Sequence, residues 1–477
     1  MTPQQYKLKI GLFGIGLEAY WEQFDGLKET LESYLNVVYE RLGSNNHEII
    51  NLGLIDTPEK ALQAGHTFRQ SDVDIIFLHV TTYALSATVL PVVQRARVPV
   101  IILNLSPANA IDYNVFNALG DRKKMTGEWL KFCSSCPVPE IANVFKRAGI
   151  RFHQITGTLY EDVESWKEVG EWINAAEVAH ILFHNKLGAM GNYYSGMLDI
   201  YTDLTRLIIT FGGQVEIIEV DELTALRNSC TEEQIADKLL EIQNEMNVQS
   251  DCQAAELRRA AITAVALDKL VEMHQIGSLA YYHKGSGIAA NEDTMSSVIL
   301  GTSLLTSKNI PVAGEYEIKN VYAMKIMDAF GAGGSFTEFY AMDFNDDVVM
   351  LGHDGPAHFA IAEGRVKLVP LPVYHGKPGK GLSIQMSVKH GPVTLLSVVE
   401  GKNDVFLLVA EGESVAGPVL EIGNTNSRYR FSVGAKRFMN EWSKQGPAHH
   451  CAIGVGHIAN KIQKLGQILN IDVVKIC

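Results

Sequence analysis

The chain has 477 residues, of which 47% are hydrophobic, 20% are charged and 8% are aromatic. This composition is typical of a soluble globular protein, and the length predicts about two to four domains because a single core rarely serves more than about 300 residues. The formal charge of −13, from 41 basic and 54 acidic residues, argues against a nucleic-acid-binding surface. The charge does not argue against a small polar molecule as the substrate.

No stretch of the sequence reaches the roughly 18 uninterrupted apolar residues of a membrane span. The first residues, MTPQQYKLKIGLFGIG, lack the long apolar region and the small-residue cleavage site of a secretory signal. The six cysteines are too few for a disulfide framework in so long a chain, which favours a reducing compartment. We therefore expect a cytoplasmic protein.

The N-terminal part of the sequence alternates predicted strands and helices. Its apolar runs predict strands at 7–15, 48–55, 72–80 and 98–105, and a helix at 27–42. Because the strands look buried and helices separate them, we expect a parallel, doubly wound sheet. A second α/β segment begins near Asn174. Its clearest predicted elements are a strand at 214–220 and helices at 231–247 and 254–274.

The character of the sequence changes near residue 330. Short β-rich runs at 348–351, 366–371, 393–399 and 405–410 are divided by Gly, Pro, Asn and Asp turns. This pattern predicts an antiparallel sheet or barrel, closed by a helix at 456–468 and a strand at 471–476. The predicted fold class is α/β. Two doubly wound α/β domains, 1–172 and 173–328, precede a β-rich C-terminal domain, 329–477.

Carboxylates and imidazoles stand in short glycine-containing segments of the second half. Glu315 lies in AGEYEIK, Glu338 in GGSFTEFY, His353 in LGHDGPAH, and His449 and His450 are adjacent in GPAHHCAIGVGH. Two carboxylates and two imidazoles form a ligand set that suits a divalent metal of intermediate hardness such as Mn²⁺. Glycines let backbone and ligand approach closely. The pattern therefore predicts a metal site.

The residues alone leave two ligand assignments open. His358 competes with His353, which we prefer because neighbouring Asp354 could orient its imidazole. In the pair His449-His450, one imidazole can ligate while the other points elsewhere, since adjacent side chains of an extended backbone face opposite ways. Position in the sequence does not say which of the two ligates.

Two further segments carry weaker signals. Tyr193 and Met197, in the loop NYYSGM, are candidate substrate-pocket residues, with core packing as the alternative. The segment GIGLEA, which begins at Gly14, fits the GxGxxA variant of the dinucleotide fingerprint. The second predicted strand, however, lacks an acidic residue at the usual place of the ribose contact. We interpret the segment as a tight strand-to-helix turn and expect no nicotinamide cofactor.

Together these segments resemble the L-arabinose isomerase family, within the L-fucose/L-arabinose isomerase group, over almost the whole chain. AGEYEIKN, GGSFTEFY, LGHDGPAH and GPAHH follow one another in the order of the family's four metal-site segments, and HVTTYALSATVLPVV is similar to its His-Thr-Phe-Ser-Pro-Ala strand end. The resemblance implies a three-domain protomer. It also implies Mn²⁺ held by Glu315, Glu338, His353 and His450.

The resemblance further implies an aldose–ketose isomerisation through a cis-enediol. Glu315 and Glu338 would share ligation and proton transfer, and the sequence does not identify which of them is the base. His449, beside the fourth ligand, is a candidate sugar contact. The resemblance also implies a homo-oligomer, a hexamer or a trimer pair, with active sites at subunit contacts.

The chain differs from the resembled family in segments that are expected to contact the substrate. Its first strand-to-helix turn reads GIGLEA instead of Gly-Ser-Gln-His-Leu-Tyr, so the Gln that reaches a neighbouring subunit's sugar is missing. The segment 417–431 also differs and brings Asn424 and Arg428 as candidate replacement contacts. We expect a best substrate other than L-arabinose. The alternatives are an isomerase or epimerase of a modified or larger sugar, and a non-catalytic sugar-binding relic.

Overall fold

The computed structural model describes residues 7–43, 47–285, 287–371, 373–374, 377–378 and 381–477. The chain divides into two compact units, Gln5–His180 and Ile181–Cys477. Among the described residues, no helix is both long enough and apolar enough to cross a membrane.

The N-terminal unit is built around a five-stranded parallel sheet. Its strands are β1 (Leu8–Ile15), β2 (His47–Ile55), β3 (Ile75–His79), β4 (Val100–Ser106) and β5 (Phe152–Thr158). They pair in the order β2-β1-β3-β4-β5, which is a doubly wound order. Strand β3 is buried along its whole length, as expected where helices cover both faces. The predicted parallel α/β sheet is confirmed in this unit.

Helices connect these strands. They are α1 (Leu27–Leu42), α2 (Pro58–Ser71), α3 (Leu90–Gln94), α4 (Tyr113–Asn117), α5 (Arg122–Leu130), α6 (Val138–Ala148) and α7 (Val163–Phe183). Helix α1 has the predicted bounds, because its buried residues recur at spacings of three and four: Leu27, Leu31, Leu35, Val38 and Leu42. Helix α2 begins where Thr57 accepts a hydrogen bond from the N–H of Lys60 (3.2 Å).

Trp21 fills the turn that follows β1. A Cβ on Gly16 would lie 2.7 Å from the Trp21 ring, so only glycine fits there. Nε1 of Trp21 donates a hydrogen bond to Oδ2 of Asp56 (2.8 Å), and Nζ of Lys60 donates to Oδ1 (2.6 Å). The 3-10 turn Glu18–Tyr20 lies between the glycines, Gly14 and Gly16, and the start of α1. The glycines therefore do not open directly onto a helix, as the dinucleotide fingerprint requires.

The C-terminal unit begins with a second parallel sheet and its helices. The strands are β6 (Lys186–Gly191), β7 (Gln214–Ile218), β8 (Asn247–Val248), β9 (Ser278–Tyr282) and β10 (Val312–Ala313). The helices are α8 (Leu204–Phe211), α9 (Val220–Asn228), α10 (Glu232–Glu245), α11 (Ala254–His274), α12 (Ala289–Met295), α13 (Val298–Thr306) and α14 (Ile318–Ala329). Four strands pair in the order β10-β9-β6-β7, all parallel, whereas β8 pairs with a later strand.

The rest of this unit is rich in strands. They are β11 (Gly333–Asp343), β12 (Val348–His353), β13 (Lys367–Pro370), β14 (Val373–Tyr374), β15 (Lys377–Pro378), β16 (Leu382–Gln385), β17 (Gly391–Glu400), β18 (Val405–Val415), β19 (Thr425–Phe431), β20 (His450–Val455) and β21 (Val473–Lys475). Helices α15 (Ala435–Lys444) and α16 (Ala459–Leu469) lie between the last strands.

Six of these strands form a closed antiparallel barrel. They pair in the order β17-β20-β11-β12-β19-β18, and β17 also pairs with β18, which closes the ring. Strand β21 adds in parallel to β18. The predicted β-rich C-terminal region is therefore confirmed, and the antiparallel barrel is the form that it takes.

Helix α14 joins the parallel sheet to the barrel. Every residue from Ile318 to Met327 is buried. The helix packs against β9 and β10 on one side and against β11, β17 and β20 on the other. Because α14 belongs to both layers, residues 181–477 form a single compact unit. The three-domain division with boundaries at 172 and 328 stays a prediction.

The Asp56→Asn substitution should lower the free energy of unfolding at pH 7 by about 1.5–3 kcal/mol, the value of hydrogen bonds to a buried charge. Burial opposes ionisation, but Lys60 and Trp21 outweigh it and lower the pKa of Asp56. The stabilisation is therefore present above the unfolded pKa of about 3.9 and is lost as pH falls through the lower folded pKa.

Urea unfolding of the wild type and of the variant, at pH 7 and at pH 3.5 or below, measures this difference, which should shrink in acid. The exposed Asp25 provides the control, because Asp25→Asn removes the same charge from the same unit without breaking a buried contact. Equal destabilisation by both substitutions would contradict a role for the Asp56 hydrogen bonds.

Candidate functional site

Glu315 lies in the loop between β10 and α14, at the carboxyl end of the parallel sheet. Glu315 and Tyr316 both have left-handed backbones, with φ of 56° and 63°. This conformation costs a residue with a Cβ about 1–2 kcal/mol. Two hydrogen bonds hold the turn, from the N–H of Tyr316 to the carbonyl of Tyr281 (2.9 Å) and from the N–H of Glu317 to the carbonyl of Gly314 (3.0 Å). Strain maintained in this way is common at functional sites.

The barrel supplies three further side chains from neighbouring strands. Glu338 of β11 lies directly opposite His450 of β20 on one side and Gly352 of β12 on the other. Directly opposed residues of antiparallel strands project on the same face. His353 is the next residue after Gly352 and ends β12. The register of β11 and β20 therefore brings Glu338 and His450 together, and His353 joins them from the end of β12.

Five side chains converge in two overlapping groups. One group is Glu315, His449 and His450, and the other is Glu338, His353 and His450. Within each group, one ligand atom from every residue lies within 4.8 Å of the others. The structure thus brings together all four residues that were predicted as metal ligands, with His449 beside them.

His450 lies at the centre of both groups. Its Nε2 is 3.4 Å from Oε2 of Glu315, and its Nδ1 is 3.7 Å from Oε2 of Glu317. Among the described residues, neither ring nitrogen nor Oε2 of Glu315 has a hydrogen-bond partner, although buried polar atoms are normally paired. Burial and nearby cationic side chains lower the pKa of His450 well below its usual value. A neutral imidazole beside an unpartnered carboxylate oxygen fits a divalent cation.

Glu317 is a site residue that the sequence analysis did not identify. Its side chain is fully buried, with Oε1 3.6 Å from Nζ of Lys319. Burial raises the pKa of Glu317 to about 7, against the opposing effect of Lys319. His450 therefore lies between the carboxylates of Glu315 and Glu317, of which Glu317 is 3.7 Å from Nδ1. In the sequence, Glu317 is the second glutamate of AGEYEIK. Its place at the start of a helix is typical of a solvent-exposed charge.

Asp199 holds His449 at the edge of the cluster. Oδ2 of Asp199 lies 2.6 Å from Nδ1 of His449 and accepts its backbone N–H (2.9 Å). On the other side of the ring, Nε2 is 3.7 Å from Glu315 and 4.0 Å from Glu338. Burial opposes protonation, but Glu315 and Asp199 raise the pKa of His449 to about 9. A protonated imidazole is suited to donating hydrogen bonds and not to ligation.

The two histidines of LGHDGPAH lie in different surroundings. Nδ1 of His353 is 3.3 Å from Oδ1 of Asp354 and 2.9 Å from the N–H of Gly355. Burial opposes protonation, but neighbouring carboxylates, Asp354 foremost, raise the pKa of His353 above its usual value. Nε2 of His358 instead faces Asp328 of α14 at 3.5 Å. The expected Asp354 contact is present, and the positions favour His353 as the ligand.

Glu338 is the more accessible of the two candidate catalytic carboxylates. Its side chain is 32% exposed, against 10% for Glu315. Burial raises the pKa of Glu338, and the effect of Glu315 adds to it while His353 and His449 oppose it. A carboxylate that is both reachable and relatively basic is suited to exchanging a proton with a bound molecule.

Tyr193 and Met197 lie on the segment between β6 and α8. The ring of Tyr193 contacts those of Tyr201 and Tyr316, with centroid separations of 5.0 and 4.8 Å. Met197 is half-buried and precedes the 3-10 turn that carries Asp199. Both residues therefore border the cluster. A contact between either of them and a sugar stays a prediction.

Asn424 lies one side chain away from the cluster. Its Nδ2 donates a hydrogen bond to the hydroxyl of Tyr340 (2.7 Å). Burial raises the pKa of Tyr340, and the nearby carboxylates of Glu338 and Asp354 add to this effect. Asn424 could thus act on the site through Tyr340.

Arg428 has partners of its own. Its side chain is 4% exposed, and Nη1 lies 3.4 Å from Asp343 and donates to the carbonyl of Pro418 (3.2 Å). Nη2 pairs closely with Asp346. These contacts tie the turn after β11 to the segment before β19, and Arg428 does not belong to the groups that converge on His450. These ion pairs already engage the guanidinium of Arg428. The sugar contact of Arg428 that the divergent segment suggested stays a prediction.

Comparison with known proteins gives three results. Residues 333–472 match the family model of the L-arabinose isomerase C-terminal domain. A sulfoquinovose isomerase from Alkalicoccus urumqiensis is 22% identical over 301 residues, which cover 61% of this chain and 64% of that protein, so the chain matches less than two thirds of this relative's length. The apo-structure of D-lactate dehydrogenase from Escherichia coli aligns over 68% of this chain and 94% of that one, with 12% identity and a TM-score of 0.15, which is too low to indicate a common fold.

The family match and the geometry coincide in the same strands. The matched region contains β11, β12 and β20, and with them Glu338, His353 and His450. Glu315 reaches the same cluster from the loop before α14, outside the matched region. The strands that carry Glu338, His353 and His450 are therefore similar in sequence to the L-arabinose isomerase C-terminal domain.

Proposed function

We propose that the protein is a metal-dependent aldose–ketose isomerase that acts on a monosaccharide through an enediol. The observation that carries this proposal is the convergence of two carboxylates and two imidazoles around buried atoms that lack hydrogen-bond partners. The L-arabinose isomerase C-terminal domain match and the similarity to a protein named sulfoquinovose isomerase support the same class of reaction.

The residues that would hold the metal are Glu315, Glu338, His353 and His450. Two carboxylates with two imidazoles favour Mn²⁺ or another divalent transition metal over an ion that prefers oxygen ligands alone. When bound, such an ion supplies Lewis-acid polarisation of the sugar's carbonyl and hydroxyl oxygens.

Isomerisation requires a base that removes a proton from one carbon and returns it to the next. We assign this step to the two glutamates together, and the geometry favours Glu338 because its carboxylate is the more exposed and has a raised pKa. Glu315, which is nearly buried beside His450, is better placed to remain a ligand throughout the reaction.

His449 and Glu317 would act without binding the metal. His449, held by Asp199, can donate from Nε2 to an oxygen of the sugar on which negative charge develops. Glu317 faces Nδ1 of His450 and would keep that ring in one orientation, which makes it a positioning residue.

The substrate proposed is a sugar other than L-arabinose, because the turn at Gly14 to Gly16 lacks the Gln of the resembled family. The name of the Alkalicoccus urumqiensis relative brings a sugar that carries a sulfonate into the range to be tested. Assembly into a hexamer or trimer with active sites at subunit contacts, and a cytoplasmic location, stay predictions of the sequence.

Glu338→Gln should lower the turnover number by about 10²–10⁴-fold, because it removes the charge of the proposed base while keeping its volume. Steady-state kinetics on the metal-loaded protein measure this loss. The exposed Glu413 of β18 gives a matched control, and Glu413→Gln should leave turnover unchanged. Retention of more than about a tenth of wild-type turnover would remove Glu338 from the mechanism.

Chelation should abolish isomerisation, and Mn²⁺ or Co²⁺ should restore it better than Mg²⁺, because two imidazoles disfavour an ion that prefers only oxygen. The assay compares the chelated protein with samples reloaded with each metal, and elemental analysis confirms the metal content. Full activity of a preparation that contains no metal would overturn the proposal.

His353→Gln should weaken Mn²⁺ affinity by more than about 10–100-fold, the cost of losing even an outer-shell partner of a metal. His358→Gln serves as the matched control from the same segment, and it should leave affinity nearly unchanged because His358 faces Asp328. Calorimetric titration with Mn²⁺ measures both, after thermal unfolding has shown that both variants fold. A larger loss in His358→Gln would reverse the ligand assignment.

A further inference from the structure

A cavity of about 620 Å³ adjoins the cluster. Three of its lining residues belong to the surroundings of the cluster: Asp199, which binds His449, Lys319, which lies beside Glu317, and Ala448. Arg206, Glu400 and Lys402 are among its other lining residues. Its volume lies within the range of small-molecule pockets, roughly 300–1,000 Å³. The cavity thus lies beside the cluster and shares with it the residue that holds His449.

The acidic groups of this cavity are already engaged. Oε2 of Glu400 accepts hydrogen bonds from the hydroxyl of Thr202 (2.6 Å) and from the N–H of Asp203 (3.3 Å). Asp203 in turn caps α8 by accepting backbone N–H groups through its Oδ1. Asp199 holds His449. None of these carboxylates therefore needs a ligand to satisfy it.

Two cationic groups of the cavity keep donors to spare. The side-chain hydrogen bonds of Arg206 to the carbonyls of Gly401 (3.2 Å) and Lys402 (3.5 Å) both come from Nη1, which also lies 3.7 Å from Glu400. In the part of the chain that the structure describes, Nη2 of Arg206 has no hydrogen-bond partner and the exposed ammonium of Lys402 has no ion pair. Arg206 and Lys402 therefore offer positively charged donors to a molecule in the cavity.

We propose that this cavity is a distal subsite that receives an anionic group on the end of the sugar remote from the carbonyl, with Arg206 and Lys402 as its contacts. The proposal rests on the proposed isomerase function. Sulfonate, phosphate and carboxylate share the chemistry required, because each presents oxygens that a guanidinium and an ammonium bind through charge-assisted hydrogen bonds. Arg206 and Lys402 then determine specificity without taking part in proton transfer.

The kinetic test compares a neutral sugar with its anionic counterparts. D-Glucose, 6-deoxy-6-sulfo-D-glucose, D-glucose 6-phosphate and D-glucuronate are assayed with the wild type and with Arg206→Gln, and D-mannose and its 6-phosphate repeat the comparison for a second stereochemistry. The ratio of kcat/KM for the preferred anionic sugar to that for the neutral one should fall by about 10–100-fold in the variant, which loses hydrogen bonds to a charged group. The value for the neutral sugar should fall much less, because that sugar has no charge for the guanidinium to pair with.

Three further variants refine the kinetic result. Arg206→Lys keeps the charge without the planar fork and should restore part of the ratio. Lys402→Gln should lower the ratio by itself. Arg430→Gln, which removes an exposed arginine of β19 outside the cavity, is the control and should leave the ratio unchanged. An unchanged ratio in Arg206→Gln, or a wild type that prefers the neutral sugars, would overturn the subsite while leaving the isomerase proposal intact.

A binding experiment gives a readout that does not depend on turnover. D-Glucitol and D-glucitol 6-phosphate cannot be isomerised, and calorimetry should show at least about tenfold tighter binding of the phosphorylated alditol to the wild type and not to Arg206→Gln. Equal affinities in the wild type would refute the subsite. If no sugar of either kind is turned over and Mn²⁺ does not bind, the isomerase proposal fails, and the subsite, which depends on it, fails with it.

Discussion

The site depends on the antiparallel register of β11 and β20. Because Glu338 lies directly opposite His450, the carboxylate and the central imidazole project on one face. A slip of one residue would send Glu338 to the other face and separate the pair. Barrel closure through β17 and β18 protects this register, since a slip in one strand would have to propagate around the ring. The closed barrel therefore maintains the register that keeps Glu338 and His450 together.

Glu315 reaches the cluster from a different layer of the same unit. It follows β10 of the parallel sheet, through a turn whose left-handed residues are held by hydrogen bonds and by the largely buried α14. The strain of that turn is offset by the packing of the helix behind it, in which ten successive residues from Ile318 to Met327 are buried. The packing of α14 therefore holds the turn that positions the carboxylate of Glu315.

The sequence predicts elements well where burial is periodic and less well where it depends on partners. Helices 27–42 and 254–274 have their predicted bounds, and the clustered residues were all named from their glycine-rich segments. Glu317 was not identified because a charge at a helix start usually faces solvent, whereas this one is buried between Lys319 and His450. The ion pairs of Arg428 were likewise not visible in the sequence, since its partners Asp343 and Asp346 are distant from it in the chain.

The closed barrel also determines where another chain could add a strand. Each strand that carries a candidate ligand already has neighbours on both sides: β11 lies between β12 and β20, β12 between β11 and β19, and β20 between β17 and β11. Unpaired backbone edges, which template aggregation and strand exchange, belong to other strands of the described chain, such as β7 at the border of the parallel sheet. Association through the edge at β7 would therefore leave the strands that carry Glu338, His353 and His450 paired as they are.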